Sequence, residues 1–163
     1  MIIGVPKEIK LQEHRIGLTP DSAKVLVDKG HEILVQSNGG FEAGFTDEDY
    51  KNSGAKIIDN AEEIFKKAKE MSPYFQDGLH SLKDLDVVTG IRGYGMMGGI
   101  DIKMKDKPGK AGFQTFKHFY NAGVNFKSTG DTLIIAPQFI CEKKHIDEII
   151  EKLRTGISNY AKS

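Results

Sequence analysis

The stretch "IRGYGMMGGIDIKMK", residues 91–105, decides how the second half of the chain is read. Its centre, Gly93 to Gly98, has the G-x-G-x-x-G spacing of a dinucleotide-phosphate turn. That turn works only between a buried strand and the start of a helix, with an acidic residue about 20 positions on. The residues after Gly98 do not start a helix. Ile100, Ile102 and Met104 alternate with Asp101, Lys103 and Lys105, the period of two of a half-exposed strand. The glycines therefore serve bends and close approach in a strand pair, and no phosphate is expected there.

Working outward from this stretch, the last 60 residues read as α+β. "KAGFQTFKHFYNAG" predicts a helix with Phe113, Phe116 and Tyr120 on one side and Gly123 as its stop. "VNFK" and "TLIIA" bracket "STGD" as strands around a turn. A final helix carries Ile146, Ile149, Ile150, Leu153, Ile157 and Tyr160 as one stripe. His145 is expected to be solvated or to cap that helix, and Cys141, just before it, to be a passive small side chain.

The first 60 residues alternate differently. "MIIGV", "HEILVQS" and "AKIID" read as strands. Between them lie a helix capped by Thr19 with Pro20 at its first position and closed by Gly30, and a short helix capped by Thr46 and closed by Gly54. On the first helix Ala23, Leu26 and Val27 share a face. Asp59 and Glu62 have capping-box spacing into a third helix. Strand and helix in alternation imply a parallel sheet. The fold class expected is thus a parallel βαβ fragment of α/β type joined to an α+β half of antiparallel strands covered by helices.

The join carries no Gly/Ser or Pro-rich tether. Ala61, Ile64, Phe65, Ala68, Met71, Phe75, Leu79 and Leu82 keep to one helical face straight across it. Pro73 falls off that face, where it can kink an exposed side; the alternative is a break, with Ser72 capping a new helix opened by Pro73.

Composition excludes several function classes. The 163 residues hold 23 basic and 23 acidic side chains, so bulk attraction to nucleic acid or an anionic membrane is not expected. Residues 1–70 carry 10 basic and 13 acidic groups and residues 71–163 the reverse, 13 and 10, a mild asymmetry. No apolar run reaches membrane-spanning length, and the single cysteine fits a reducing cytoplasm. The five histidines show no metal-ligand spacing.

Two family resemblances now attach to these residues. "GVPKEIKLQEHRIGLTPDSAKVLVDKGHEILVQSNGG" with "GFTDEDYKNSGAKIID", residues 1 to about 68, resembles the N-terminal domain of alanine dehydrogenase and pyridine nucleotide transhydrogenase. The resemblance assigns Arg15 to a substrate carboxylate, a role suited to a planar guanidinium. Where that family commonly has Asn-Glu this chain has Gln12-Glu13. The family's keto-acid lysine is not carried onto Lys69, because the apolar strand before it is missing. From about residue 64, "MSPYFQDGLHSLKDLDVVTGIRGYGMMGGIDI" and "NAGVNFKSTGDTLIIAPQFICEKKHIDEIIEKLRTGI" resemble the C-terminal small domain of class III aminotransferases of the ω-amino acid–pyruvate type, which act on β-alanine or taurine. There the family's carboxylate-binding arginine falls on Lys127, which keeps charge and loses the bidentate fork.

The domains implied are 1–68 and 69–163, with the seam within helix text near 61–72. The resemblances imply a gene fusion of two partial enzymes, a pyridoxal phosphate-dependent aminotransferase and an NAD-dependent alanine dehydrogenase, without a complete active site. No pyridoxal phosphate or NAD is expected on this chain, since the parents hold them on domains these residues do not include. The partners expected are a weakly held small carboxylate such as pyruvate and other copies of the chain, through exposed apolar faces. Two other readings stand beside this one: an enzyme completed by another chain, and a non-catalytic carboxylate-binding or regulatory module.

Overall fold

A computed structural model describes residues 1–105 and 107–163, which divide into two compact units, Met1–Lys66 and Lys67–Ser163. In the first unit, strands β1 (Ile2–Val5), β2 (Glu32–Gln36) and β3 (Lys56–Ile58) pair in parallel in the order β1-β2-β3. Helix α1 (Pro20–Asp28) connects β1 to β2, and α2 (Asp47–Asn52) connects β2 to β3. Thr19 caps α1 by accepting from the Ser22 N–H at 3.3 Å, and Thr46 forms a reciprocal box with Asp49. Gly30 and Gly54 end these helices at positive φ, 81° and 85°, as their spacing predicts. The core gathers Val5, Ala23, Ile33, Val35, Tyr50 and Ala55. Tyr50 is fully buried, and its hydroxyl donates to the Leu18 carbonyl at 2.7 Å.

Helix α3 (Glu62–His80) includes Lys66 and Lys67, where the two units divide, and runs unbroken through Pro73, which is exposed. Ala68, Phe75 and Leu79 are buried, followed by Leu82 in a 3-10 turn at Ser81–Asp84. The break at Ser72 is therefore not taken. The apolar face holds the helix together where one backbone hydrogen bond is lost to proline. One expectation fails at its start: the Glu62 N–H takes the Asn60 side chain at 2.9 Å, so Asn60 stands where Asp59 was expected.

In the second unit β4 (Val88–Tyr94), β5 (Met97–Ile102), β6 (Lys127–Thr129) and β7 (Thr132–Ile135) form an antiparallel sheet of order β4-β5-β7-β6. Helices α4 (Ala111–Asn121) and α5 (Lys143–Lys162) complete the unit. Strand β5 stops at Ile102 and leaves Met104 exposed, and β6 begins only at Lys127, so both strands are shorter than their apolar text suggests. One sheet face buries Ile100, Ile102, Leu133 and Ile135 against Phe75, Leu79, Phe119, Ile146, Leu153 and Ile157 of the helices. The stripe on α5 falls as predicted. His145 caps that helix: its Nδ1 accepts from the Glu142 N–H at 3.0 Å.

Helix α4 turns differently from what its largest side chains suggest. Phe113 and Tyr120 are exposed, while Ala111, Gly112, Thr115 and Phe119 face the core. Two glycines set this rotation. A Cβ on Gly112 would lie 2.5 Å from the Gly130 carbonyl oxygen, and one on Gly156 would lie 2.4 Å from Phe119 Cδ1. Phe119 thus fills the space that Gly156 leaves open on α5. Gly156→Ala should lower the stability of this unit by about 1–3 kcal/mol through overpacking, read as a fall in the thermal midpoint. An unchanged midpoint would contradict this packing.

Candidate functional site

The G-x-G-x-x-G stretch is a β-hairpin. Tyr94 pairs with Met97, leaving Gly95 and Met96 as a two-residue turn with Gly95 at φ 59°. That is the primed geometry that suits twisted antiparallel strands. Helix α3 holds the turn from below. Gln76 Nε2 donates to the Gly95 and Met97 carbonyls at 2.8 and 3.1 Å, and Ser72 Oγ to the Gly95 carbonyl at 3.2 Å. A Cβ on Gly93 would lie 2.4 Å from Gln76 Oε1, and one on Gly98 would lie 2.1 Å from Leu79 Cδ1. Each glycine of the motif thus has a structural reason, and the stretch lacks the strand-to-helix turn that holds a dinucleotide phosphate.

Arg15 lies on the loop between β1 and α1. Gln12 adopts φ 64°, which folds Glu13 back beneath the arginine. Glu13 Oε1 then accepts from the Arg15 backbone N–H at 3.1 Å and from Nε at 2.7 Å, and Oε2 accepts from Nη2 at 2.5 Å. The two side chains differ in setting, with 18% of Glu13 exposed and 88% of Arg15. The Arg15 hydrogen bonds, from side chain and then backbone, bring the Glu13 carboxyl down to about 2, and the same contact raises Arg15.

Lys127 stands exposed at the start of the edge strand β6, paired in register with Ile134. Arg15 and Lys127 belong to different units. Near Lys127, the sheet face turned away from the helices carries a concavity of about 620 Å³ lined by Arg92, Tyr94, Met97, Gly99, Thr132 and Ile134, among others. At its floor Arg92 Nη1 is bonded to Asp101 Oδ2, and its Nη2 donates to Thr132 Oγ1 at 3.3 Å. Thr132 Oγ1 donates to Asp101 Oδ1 at 2.5 Å. Burial opposes ionisation of Asp101, but the hydrogen bonds from Thr132 and Arg92 outweigh it and hold the carboxyl below its ordinary range. Sequence reasoning missed this cluster. Its signal was the turn: once Gly95-Met96 is a two-residue hairpin, Arg92 falls opposite Gly99 and diagonal to Asp101 on one face. Among the described residues no group of three or more His, Cys, Asp or Glu side chains is placed to hold a metal ion.

A parallel β-α unit with an outward arginine, followed by an antiparallel sheet backed by helices, makes this a two-part α/β and α+β chain. Residues 53–157, more than half of it, match the family Aminotransferase class-III, and the chain belongs to that family. Residues 4–71 match Alanine dehydrogenase/PNT, N-terminal domain, so the hybrid that the sequence resemblances implied is present, and the two matches overlap over 53–71. Alanine dehydrogenase from Staphylococcus epidermidis is 54% identical over 59 residues, 36% of this chain and 16% of that protein. Alanine dehydrogenase from Bacillus subtilis is 42% identical over 88 residues, 48% of this chain and 23% of that protein. Among solved structures, a transaminase described with L-ala has a TM-score of 0.58 at 22% identity, over 62% of this chain and 26% of its own. An omega transaminase from Pseudomonas jessenii in complex with PMP has a TM-score of 0.58 at 18% identity, over 71% and 26%. These two likenesses concern the fold. The chain spans about a quarter or less of the length of each of these proteins.

The Glu13–Arg15 contact is directly measurable. Because the Glu13 carboxyl is depressed, its contribution to the loop is present above the ordinary carboxylate range and is lost as pH falls through about 2. An NMR titration of the Glu13 carboxyl carbon should show a midpoint near 2, returning toward the ordinary 4.5 in Arg15→Ala. The same midpoint in both proteins would contradict the pairing.

Proposed function

We propose that the chain is a gene fusion of two partial enzymes of alanine and pyruvate metabolism, whose residues bind a small carboxylate weakly and do not by themselves turn one over. The inherited roles are pyridoxal phosphate-dependent ω-amino acid–pyruvate aminotransferase for the C-terminal part and NAD-dependent alanine dehydrogenase for the N-terminal part. The observation that carries this reading is the setting of Arg15. It is the residue to which the N-terminal resemblance gives the substrate carboxylate, and it stands 88% exposed on an open loop. Hydride transfer needs an acceptor held against the substrate carbon and acid–base groups at hydrogen-bond distance, and a single outward guanidinium supplies only charge recognition. Such a contact corresponds to an affinity for pyruvate of about millimolar or weaker. Lys127 is a second carboxylate contact by descent, reduced to a point charge.

The domain limits in this reading are 1–68 and 69–163, with the seam inside α3. Neither pyridoxal phosphate nor NAD is retained by these residues, and neither nucleic acid nor membrane is a partner. No helix among the described residues is long and apolar enough to cross a membrane, and the cytoplasm is the compartment proposed.

Purified chain mixed with pyridoxal phosphate, treated with borohydride and desalted should carry no pyridoxyl lysine. Alanine with NAD should give no NADH. One stoichiometrically labelled lysine, or alanine-dependent NAD reduction abolished by Arg15→Ala, would overturn the reading. Exposed Phe113, Tyr120, Tyr94 and Met97 support the further proposal that copies associate through apolar surface. Sedimentation velocity should show association that rises with concentration and weakens in Phe113→Ser/Tyr120→Ser. A monomer at all concentrations would contradict it.

A further inference from the structure

Of the charged contacts in the N-terminal unit, the one between Glu13 and Arg15 leaves a particular edge of the guanidinium open. An arginine offers five N–H donors in a planar fork. Glu13 takes Nε–H and one N–H of Nη2, the lateral edge, and ties down the Arg15 backbone N–H with the same carboxylate. One N–H of Nη1 points toward the Cδ side, and the other Nη1 N–H and the second of Nη2 remain. They converge on the outer edge of the fork, and among the described residues no protein group is bonded to them. Glu13 is the more buried partner and Arg15 the projecting one, with 18% and 88% of their side chains exposed.

We infer that Glu13 is a positioning residue for carboxylate recognition: it fixes the Arg15 fork from its lateral edge so that the outer edge meets an incoming carboxylate bidentately. This rests on the reading of Arg15 as the carboxylate contact. A free arginine must be ordered when it binds, and that cost falls on the affinity. Here three hydrogen bonds that Arg15 donates to one carboxylate have already ordered it. The opposing effect is charge, since Glu13 lies beside the anion it helps to bind. Repulsion between exposed charges fades with salt, whereas positioning does not. The low carboxyl of Glu13 keeps it ionised throughout the neutral and mildly acidic range, so the arrangement persists wherever a keto acid is itself ionised.

The test uses the full chain, pyruvate as probe, and three variants. Glu13→Asp keeps the charge but is one methylene too short to span both Nε and Nη2 in the same way. Glu13→Gln keeps the length but loses the charge, and Arg15→Ala removes the fork. Chemical-shift titrations in about 0.5 M salt, where charge repulsion is damped, should show pyruvate binding weakened about two- to tenfold in Glu13→Asp and Glu13→Gln, and lost in Arg15→Ala. In the absence of pyruvate, the Arg15 Nε–H should give a rigid relaxation signature in the parent chain and a mobile one in Glu13→Asp. Pyruvate binding that is equal or tighter in both Glu13 variants, or an Nε–H equally mobile in the parent, would overturn the inference while leaving Arg15 as the contact. Binding that survives Arg15→Ala, or no binding by the parent chain, would overturn the reading of Arg15 and this inference with it.

Discussion

Leu79 and Gly98 meet so closely that a Cβ on residue 98 would lie 2.1 Å from Leu79 Cδ1. That contact lets helix α3 seat directly on β5, and much of the second unit depends on it. With the helix seated, Gln76 and Ser72 reach the carbonyls of the Gly95 turn. The turn fixes the register of β4 on β5, and β5 in turn aligns β7 through Gly98↔Ile135 and Ile100↔Leu133. Ile100, Leu133 and Ile135 thereby share one face with Phe75 and Leu79. The glycine spacing that resembles a phosphate turn is the signature of a helix docked against a hairpin. A similar spacing arises in both because each requires backbone to approach something closely, and only the elements on either side separate them.

Much of this was legible in the sequence because local and long-range demands agree. The period of two after Gly98, the caps at Thr19 and Thr46, and the apolar face running across residues 61–82 each lead to the element observed. Agreement of that kind is what makes a sequence specify a fold. Helix α4 shows the limit. Its aromatic residues mark a side, but which side turns inward depends on Gly156 of a different helix, and a periodicity within α4 holds no trace of it. The cap at Glu62 failed for a smaller reason, because asparagine and aspartate sit adjacent and either oxygen could serve.

The candidate site was legible more unevenly. Arg15 came from a family resemblance and Lys127 from an alignment position, and the structure leaves both exposed on separate units. What sequence could not supply was orientation. Positive φ at Gln12, together with the short reach of Glu13, turns a loop arginine outward with its lateral edge already engaged. The Arg92–Asp101–Thr132 cluster escaped notice because its members are dispersed over three strands. Only the register of the hairpin brings them together.

The glycines of 93–98 exist for packing against α3 and for the turn, and that claim stands or falls on Gly98. Equilibrium unfolding of Gly98→Ala against the parent chain tests it most directly, together with hydrogen exchange across β4, β5 and α3. The expected result is a loss of about 1–3 kcal/mol from overpacking, with faster exchange in the hairpin and in the α3 turn around Leu79. A Gly98→Ala chain with parental stability and parental exchange in both elements would contradict it.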